Sequence, residues 1–143
     1  MKAYKKIGAI LIAFITLSGF TVISKIDGGG TWDRYIETAA KKELVVIDYV
    51  CISACNLLLA SPKLQVSKYA EFGVHETRWV EFGKSYLTGK RSEKKTNEFK
   101  TKLPTCAVKL FESKHAFDQG EVTYFTGEEV LKACPQIQEH IEK

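Results

Sequence analysis

Net charge is almost missing from this chain once its first segment is set aside. Of 21 lysines and arginines, Lys2, Lys5 and Lys6 lie in residues 1–24, and the remainder stands within one unit of balance against 17 aspartates and glutamates. A near-neutral domain offers no electrostatic footprint for a phosphate backbone, so nucleic acid is not an expected partner. Internal repeats and low-complexity tracts are also lacking, which excludes a solenoid array. Proline is scarce, and Pro62, Pro104 and Pro135 each fall where an element should begin or end. Histidine is limited to His75, His115 and His140, the last two set among lysines and glutamates as solvated surface residues. Cys51 and Cys55 with His75 lack the second ligand pair of a zinc site, so neither a metal nor another cofactor is expected.

What is present begins with MKAYKK and the uncharged, mostly apolar run IGAILIAFITLSGFTVIS, the basic and hydrophobic parts of an export signal. Val22-Ile23-Ser24 puts short side chains where signal peptidase reads, so residues 1–24 are expected to be a cleaved signal or, given the length of the run, a membrane anchor. Phe20 to Ile26 also reads as a first strand, which would move the cut nearer Ser18 or Gly19. Residues 25–143 then make one domain with a core of its own. It is expected in the periplasm or anchored to the inner membrane, touching membrane only through the N-terminal segment. Four cysteines, all beyond the signal, suit an oxidising compartment and allow three pairings. Cys106 with Cys134 would tie two helical segments, and Cys51 with Cys55 would clamp the turn that carries Ser53.

Periodicity makes the domain α/β. Thr31 can cap a helix with Trp32, Tyr35, Ile36, Ala39 and Ala40 on one face. Leu44 to Val50 reads as a strand covered on both sides, completing a βαβ crossover with the strand before Gly28. Ser53 to Ala60 reads as a second helix stopped by Ser61-Pro62. Leu64–Val66 and Ala70–Val74 follow as short strands that deliver His75. Lys90 to Lys95 is a wet face. Thr105 to Phe117 reads as an amphipathic helix closed by Gly120, and Val122 to Phe125 as the last strand. Thr126 with Glu129 makes a capping box for a helix from about Glu128 to Cys134. Trp32, Tyr35, Phe72 and Phe111 read as core.

Candidate chemistry lies in chain order: Gly28-Gly29-Gly30, then Ser53 where a strand turns into a helix, then His75. Acyl transfer needs a nucleophile, a base in reach and backbone N–H donors aimed at the developing oxyanion, and a helix N-terminus favours such negative charge. The bland alternative is a capping serine and a histidine satisfied at a strand end.

IDGGG before a helix, CISAC at the strand-to-helix turn and FGVH some twenty residues later resemble the Clp protease/crotonase-like superfamily, in particular its small exported members. The resemblance covers about Ile26 to Glu76, with a weaker echo in TGEEVLKACPQI. It implies a ββα spiral with Ser53 as nucleophile, His75 as general base, and the backbone N–H groups of Gly29 or Gly30 and of Ala54 as oxyanion donors. Two departures stand out. Cys51 occupies the place two residues before the nucleophile where the family's proteases usually carry glycine. Their triad aspartate corresponds to a place near Val122, where Glu121 is the nearest acid and Asp118 lies further off. Either Glu121 orients His75, or the site is a Ser-His dyad, or catalysis has been lost.

The resemblance implies a serine hydrolase, peptidase-like, acting on peptide or another acyl substrate, and assembly as a homo-oligomer. A non-catalytic exported interaction protein with the same fold is the rival, and a thiol redox protein using Cys51 and Cys55 a weaker third.

Overall fold

The computed structural model describes residues 20–23, 25, 27–79 and 89–142. Its short valine- and isoleucine-rich strands are laid down in pairs, one member in each of two sheets. The first sheet has the order β1 (Phe20–Ile23), β2 (Leu44–Ile47), β4 (Leu64–Val66) and β9 (Gln138–Glu139), all neighbours parallel. The second has the order β3 (Val50–Ile52), β5 (Glu71–Val74) and β8 (Thr123–Thr126), with β3 parallel to β5 and β5 antiparallel to β8. Between the sheets the chain makes a short step. At Asp48-Tyr49 the Asp48 N–H donates to the Ile23 carbonyl (2.9 Å) and the Tyr49 carbonyl accepts from Glu71 N–H (2.9 Å). At Ser67–Ala70 a turn closed by Ala70 N–H to Ser67 O (3.0 Å) does the same. Asp27 bridges Cys51 in parallel, so β1 with Asp27, β2 with β3, and β4 with β5 form successive coils.

A helix separates each coil from the next: α1 (Trp32–Ala40) after the first and a 3₁₀ helix (Ser53–Ala60) after the second. The single strand expected over Leu44 to Val50 is therefore two, because the half-buried Asp48 sits where the chain changes sheets. Apart from Asn56 the buried part of the SACNLLLA helix is apolar: Ala54 to Leu59 are all buried, and α1 packs against it. An element apolar all round belongs inside a core. On α1, Tyr35 and Ala39 are buried, whereas Ile36 and Ala40 stay exposed and Thr31 makes no side-chain cap bond.

The second half closes the far side. β6 (Arg78–Trp79) pairs antiparallel with β7 (Lys90–Arg91), and α2 (Glu93–Thr101) starts at Ser92, whose hydroxyl accepts from Lys95 N–H. The expected wet run from Lys90 to Lys95 thus holds an exposed strand and a buried helix cap. α3 (Thr105–Glu112) ends before Phe117, whose ring packs edge-on to Phe99 and Phe111 in the core. α4 (Gly127–Ala133) carries the capping box: Glu129 N–H donates to Thr126 Oγ1 (3.1 Å) and Thr126 N–H to Glu129 Oε2 (2.8 Å).

Two disulfides join Cys51 to Cys55 and Cys106 to Cys134, the second tying α3 to the end of α4. Such bonds place the folded chain in a non-reducing environment. β1 falls inside residues 1–24, and Ile23 is part of the core at 7% exposure. Of the signal or anchor expected over residues 1–24, residues 1–19 and Ser24 lie outside the described residues. Among those described, no helix is long and apolar enough to cross a membrane.

Candidate active site

The site grows from two turns pressed against each other. Asp27 follows β1 and its carboxylate organises the glycine turn. Oδ1 accepts the Gly29 N–H (3.0 Å) and the Tyr35 hydroxyl (2.5 Å), and Oδ2 pairs with Arg34 (3.2 Å). Burial, with the neighbouring Asp27 carboxylate, pushes the Tyr35 phenol up to about 12, so it remains a donor at any working pH. Gly29 adopts φ +86° and lies flat against the second turn. A Cβ there would stand 2.8 Å from the Ile52 carbonyl, 2.9 Å from Ser53 Cβ and 3.0 Å from Ala54 N. Only glycine fits.

Ser53 opens the 3₁₀ helix, and its backbone is in the left-handed region at φ +58°, uncommon for a residue with a side chain. The capping position is Ile52, so Ser53 is not the N-cap serine of the bland alternative. Asn56, fully buried, donates from Nδ2 to the Ser53 carbonyl (2.9 Å) and to the Gly73 carbonyl (2.8 Å). One amide thereby fastens the Ser53 turn to β5, the strand that leads through Val74 into His75. Gly73 is close-packed between Ile52 and Val122, which draws β3 and β8 onto the same strand.

Ser53 and His75 line one cavity of about 180 Å³ together with Gly30, Trp32, Val74, Thr77, Arg78 and Phe99. They meet as wall groups, not as a hydrogen-bonded pair. Catalytic contacts are often long in the unliganded state and tighten on the substrate. Trp32 leans on Phe99 (ring centroids 5.4 Å), so one wall is aromatic, while Arg78 supplies a cation.

His75 Nδ1 faces the Glu76 carbonyl at 2.6 Å. A carbonyl only accepts, so Nδ1 carries the proton when the ring is neutral, and the ring lone pair is then on Nε2. Burial pushes the imidazole below its ordinary 6.5 and Arg78 acts the same way, against the opposing pull of the Glu76 carbonyl and carboxylate.

Glu121 is exposed and is not among the residues that line the cavity, and His75 Nδ1 faces the Glu76 backbone carbonyl. Of the expected oxyanion donors, Gly29 gives its N–H to Asp27, Gly30 lies in the cavity wall, and Ala54 stands in the first turn of the helix.

Glu76 was not legible as a site residue. Its side chain is 5% exposed and salt-bridged to Arg78 (2.8 Å) and Arg91 (3.2 Å), while its N–H donates to Gln119 O (3.0 Å). Asn56 was missed too, although a lone amide inside SACNLLLA is the kind of polar interruption that signals a buried tie. Cys51 and Cys55 are both fully buried in their disulfide. No protein-family model matches the chain, and no curated protein does.

Proposed function

We propose that this chain is an exported serine hydrolase, peptidase-like, built on a Clp-protease/crotonase-like spiral and working through a Ser53–His75 dyad. The observation that carries the reading is the shared cavity, into which a left-handed turn delivers Ser53 and a strand end delivers His75. The successive two-sheet coils separated by helices support the spiral. With β1 paired in the sheet, the export reading puts the processing site before Phe20, not after Ser24.

In the proposed reaction His75 Nε2 takes the Ser53 proton as Oγ attacks the acyl carbon. The N–H groups of Gly30 and Ala54 hold the oxyanion. Collapse expels the amine or alcohol, which leaves with the proton from His75. Water activated by the same nitrogen then frees the acid and restores Ser53. The Glu76 carbonyl keeps the ring in the tautomer this requires. Trp32, Val74 and Phe99 make an apolar wall for the group beside the scissile bond.

An alkyl fluorophosphonate tests this directly. Labelling at neutral pH, lost in Ser53→Ala and reduced at least a hundredfold in His75→Gln, is the expected result. A folded wild-type chain that resists labelling by fluorophosphonate and by activated esters favours the non-catalytic interaction protein. Exposed Tyr49, Tyr69 and Ile141 around one surface groove would suit that role. The thiol redox reading is weakened by the full burial of both sulfurs.

A further inference from the structure

We infer that Cys51 and Cys55 are positioning residues for the nucleophile: their disulfide holds Ser53 in the left-handed turn that aims its hydroxyl into the cavity. This deepens the hydrolase reading and rests on it for its catalytic consequence.

Three observations meet at this turn. Ser53 is a non-glycine residue at φ +58°, a conformation that must be enforced by its surroundings. Cys51 lies two residues before it on β3 and Cys55 two residues after it in the 3₁₀ helix, so the bond closes a ring with Ser53 at its centre. Both cysteines are fully buried and anchored. The strand end is fixed by Cys51 pairing with Phe72 and by Ile52 N–H to Asp27 O (2.8 Å), and the helix end by Asn56 bonding the Ser53 carbonyl.

A link with a sequence separation of only four restrains the unfolded chain less than Cys106–Cys134, which spans 28. What the short link restrains is Ile52, Ser53 and Ala54. The two disulfides therefore divide the work: the long one steadies the fold and the short one shapes the site.

The test compares Cys51→Ala/Cys55→Ala with Cys106→Ala/Cys134→Ala in the otherwise complete chain, at a temperature where both are folded. Opening the short link is expected to slow fluorophosphonate labelling of Ser53 by about tenfold, the penalty of an unenforced left-handed residue. It should also erase the strong intraresidue HN–Hα NOE that marks positive φ at Ser53. Opening the long link should cost more in melting temperature yet leave both readouts unchanged. A purely structural role predicts the reverse order, with labelling falling in step with stability, and that result overturns the inference. So does a Ser53 that keeps its NOE and its labelling rate in Cys51→Ala/Cys55→Ala. Should that variant not fold, reduction and reoxidation of Cys106→Ala/Cys134→Ala toggles the short link alone, with the same two readouts. A wild-type chain that shows no labelling refutes the hydrolase reading, while the Ser53 NOE still decides the clamp.

Discussion

Replacing Glu76 with alanine separates what its main chain does from what its side chain does. The carbonyl that faces His75 Nδ1 survives the change, but a carboxylate only 5% exposed is lost. It receives Arg78 Nε at 2.9 Å and Nη2 at 2.8 Å on one oxygen and Arg91 Nε at 3.2 Å on the other. Stripping one partner from a fully buried ion pair costs about 3–5 kcal/mol. Arg78 is 22% and Arg91 49% exposed, so water recovers part of their solvation. About 2–3 kcal/mol is the resulting expectation, or a melting temperature lower by roughly 6–10 °C for a chain of this size. Loss of the negative charge also removes an attraction that raises the His75 pKa while Arg78, which lowers it, remains. The imidazole, already below its ordinary 6.5, should titrate at still lower pH. Urea unfolding and a His75 Cε1–H NMR titration read the two effects separately. A midpoint in urea equal to wild type, or a His75 titration displaced upward, would refute the account of Glu76 as the residue that holds the base through both its ends.

Protonation of His75 should also appear in stability. Its folded pKa lies below the unfolded 6.5, so the unfolded chain binds more protons in the window just under 6.5, and stability falls as pH falls through it. Compared with His75→Gln, wild type is expected to show no relative change above that pH and a progressive relative loss below it, measured by urea melts across pH 4–8; a difference that grows above pH 6.5 contradicts the burial argument. Gly29→Ala puts a Cβ 2.8 Å from the Ile52 carbonyl at φ +86°, and should cost about 2–3 kcal/mol together with serine labelling. Gly28→Ala meets nothing within 4 Å and should stay within about 0.5 kcal/mol of wild type, so equal losses at the two glycines would rule out the close approach of the two turns.

Elements whose cause is local could be read from the chain. The capping box at Thr126 and Glu129, the helix from Trp32, and the short strands around Leu64–Val66 and Glu71–Val74 depend on neighbours within one or two turns, and they appear with small shifts in their ends. The break at Asp48 was hidden because Leu44 to Val50 is almost uniformly apolar, and burial in one sheet or in two leaves the same pattern. The 3₁₀ form of Ser53–Ala60 was hidden for a related reason: composition announces burial but not hydrogen-bond spacing. In the site, Ser53, His75 and Gly30 could be picked out by residue type, and the disulfide by the spacing of Cys51 and Cys55. The Glu76 carbonyl beside His75 Nδ1 could not. Every residue carries a carbonyl, so an imidazole oriented by the backbone leaves no residue type to find.

That choice of partner has a chemical consequence. A carboxylate on Nδ1 would both fix the tautomer and stabilise the imidazolium that forms when Ser53 gives up its proton. The Glu76 carbonyl fixes the tautomer but offers only a dipole, and Arg78, a full charge in the cavity wall, opposes the imidazolium. The Glu76 carboxylate sits one residue away yet is engaged by Arg78 and Arg91. Catalysis in the proposed hydrolase would then lean on geometry: a serine held in its turn by Cys51, Cys55 and Asn56, with the N–H groups of Gly30 and Ala54 as the proposed oxyanion donors. Preorganised donors of this kind supply a large share of transition-state stabilisation in acyl transfer. Loosening the turn should accordingly harm the reaction as much as weakening the base, which is why the residues that flank Ser53 matter as much as His75.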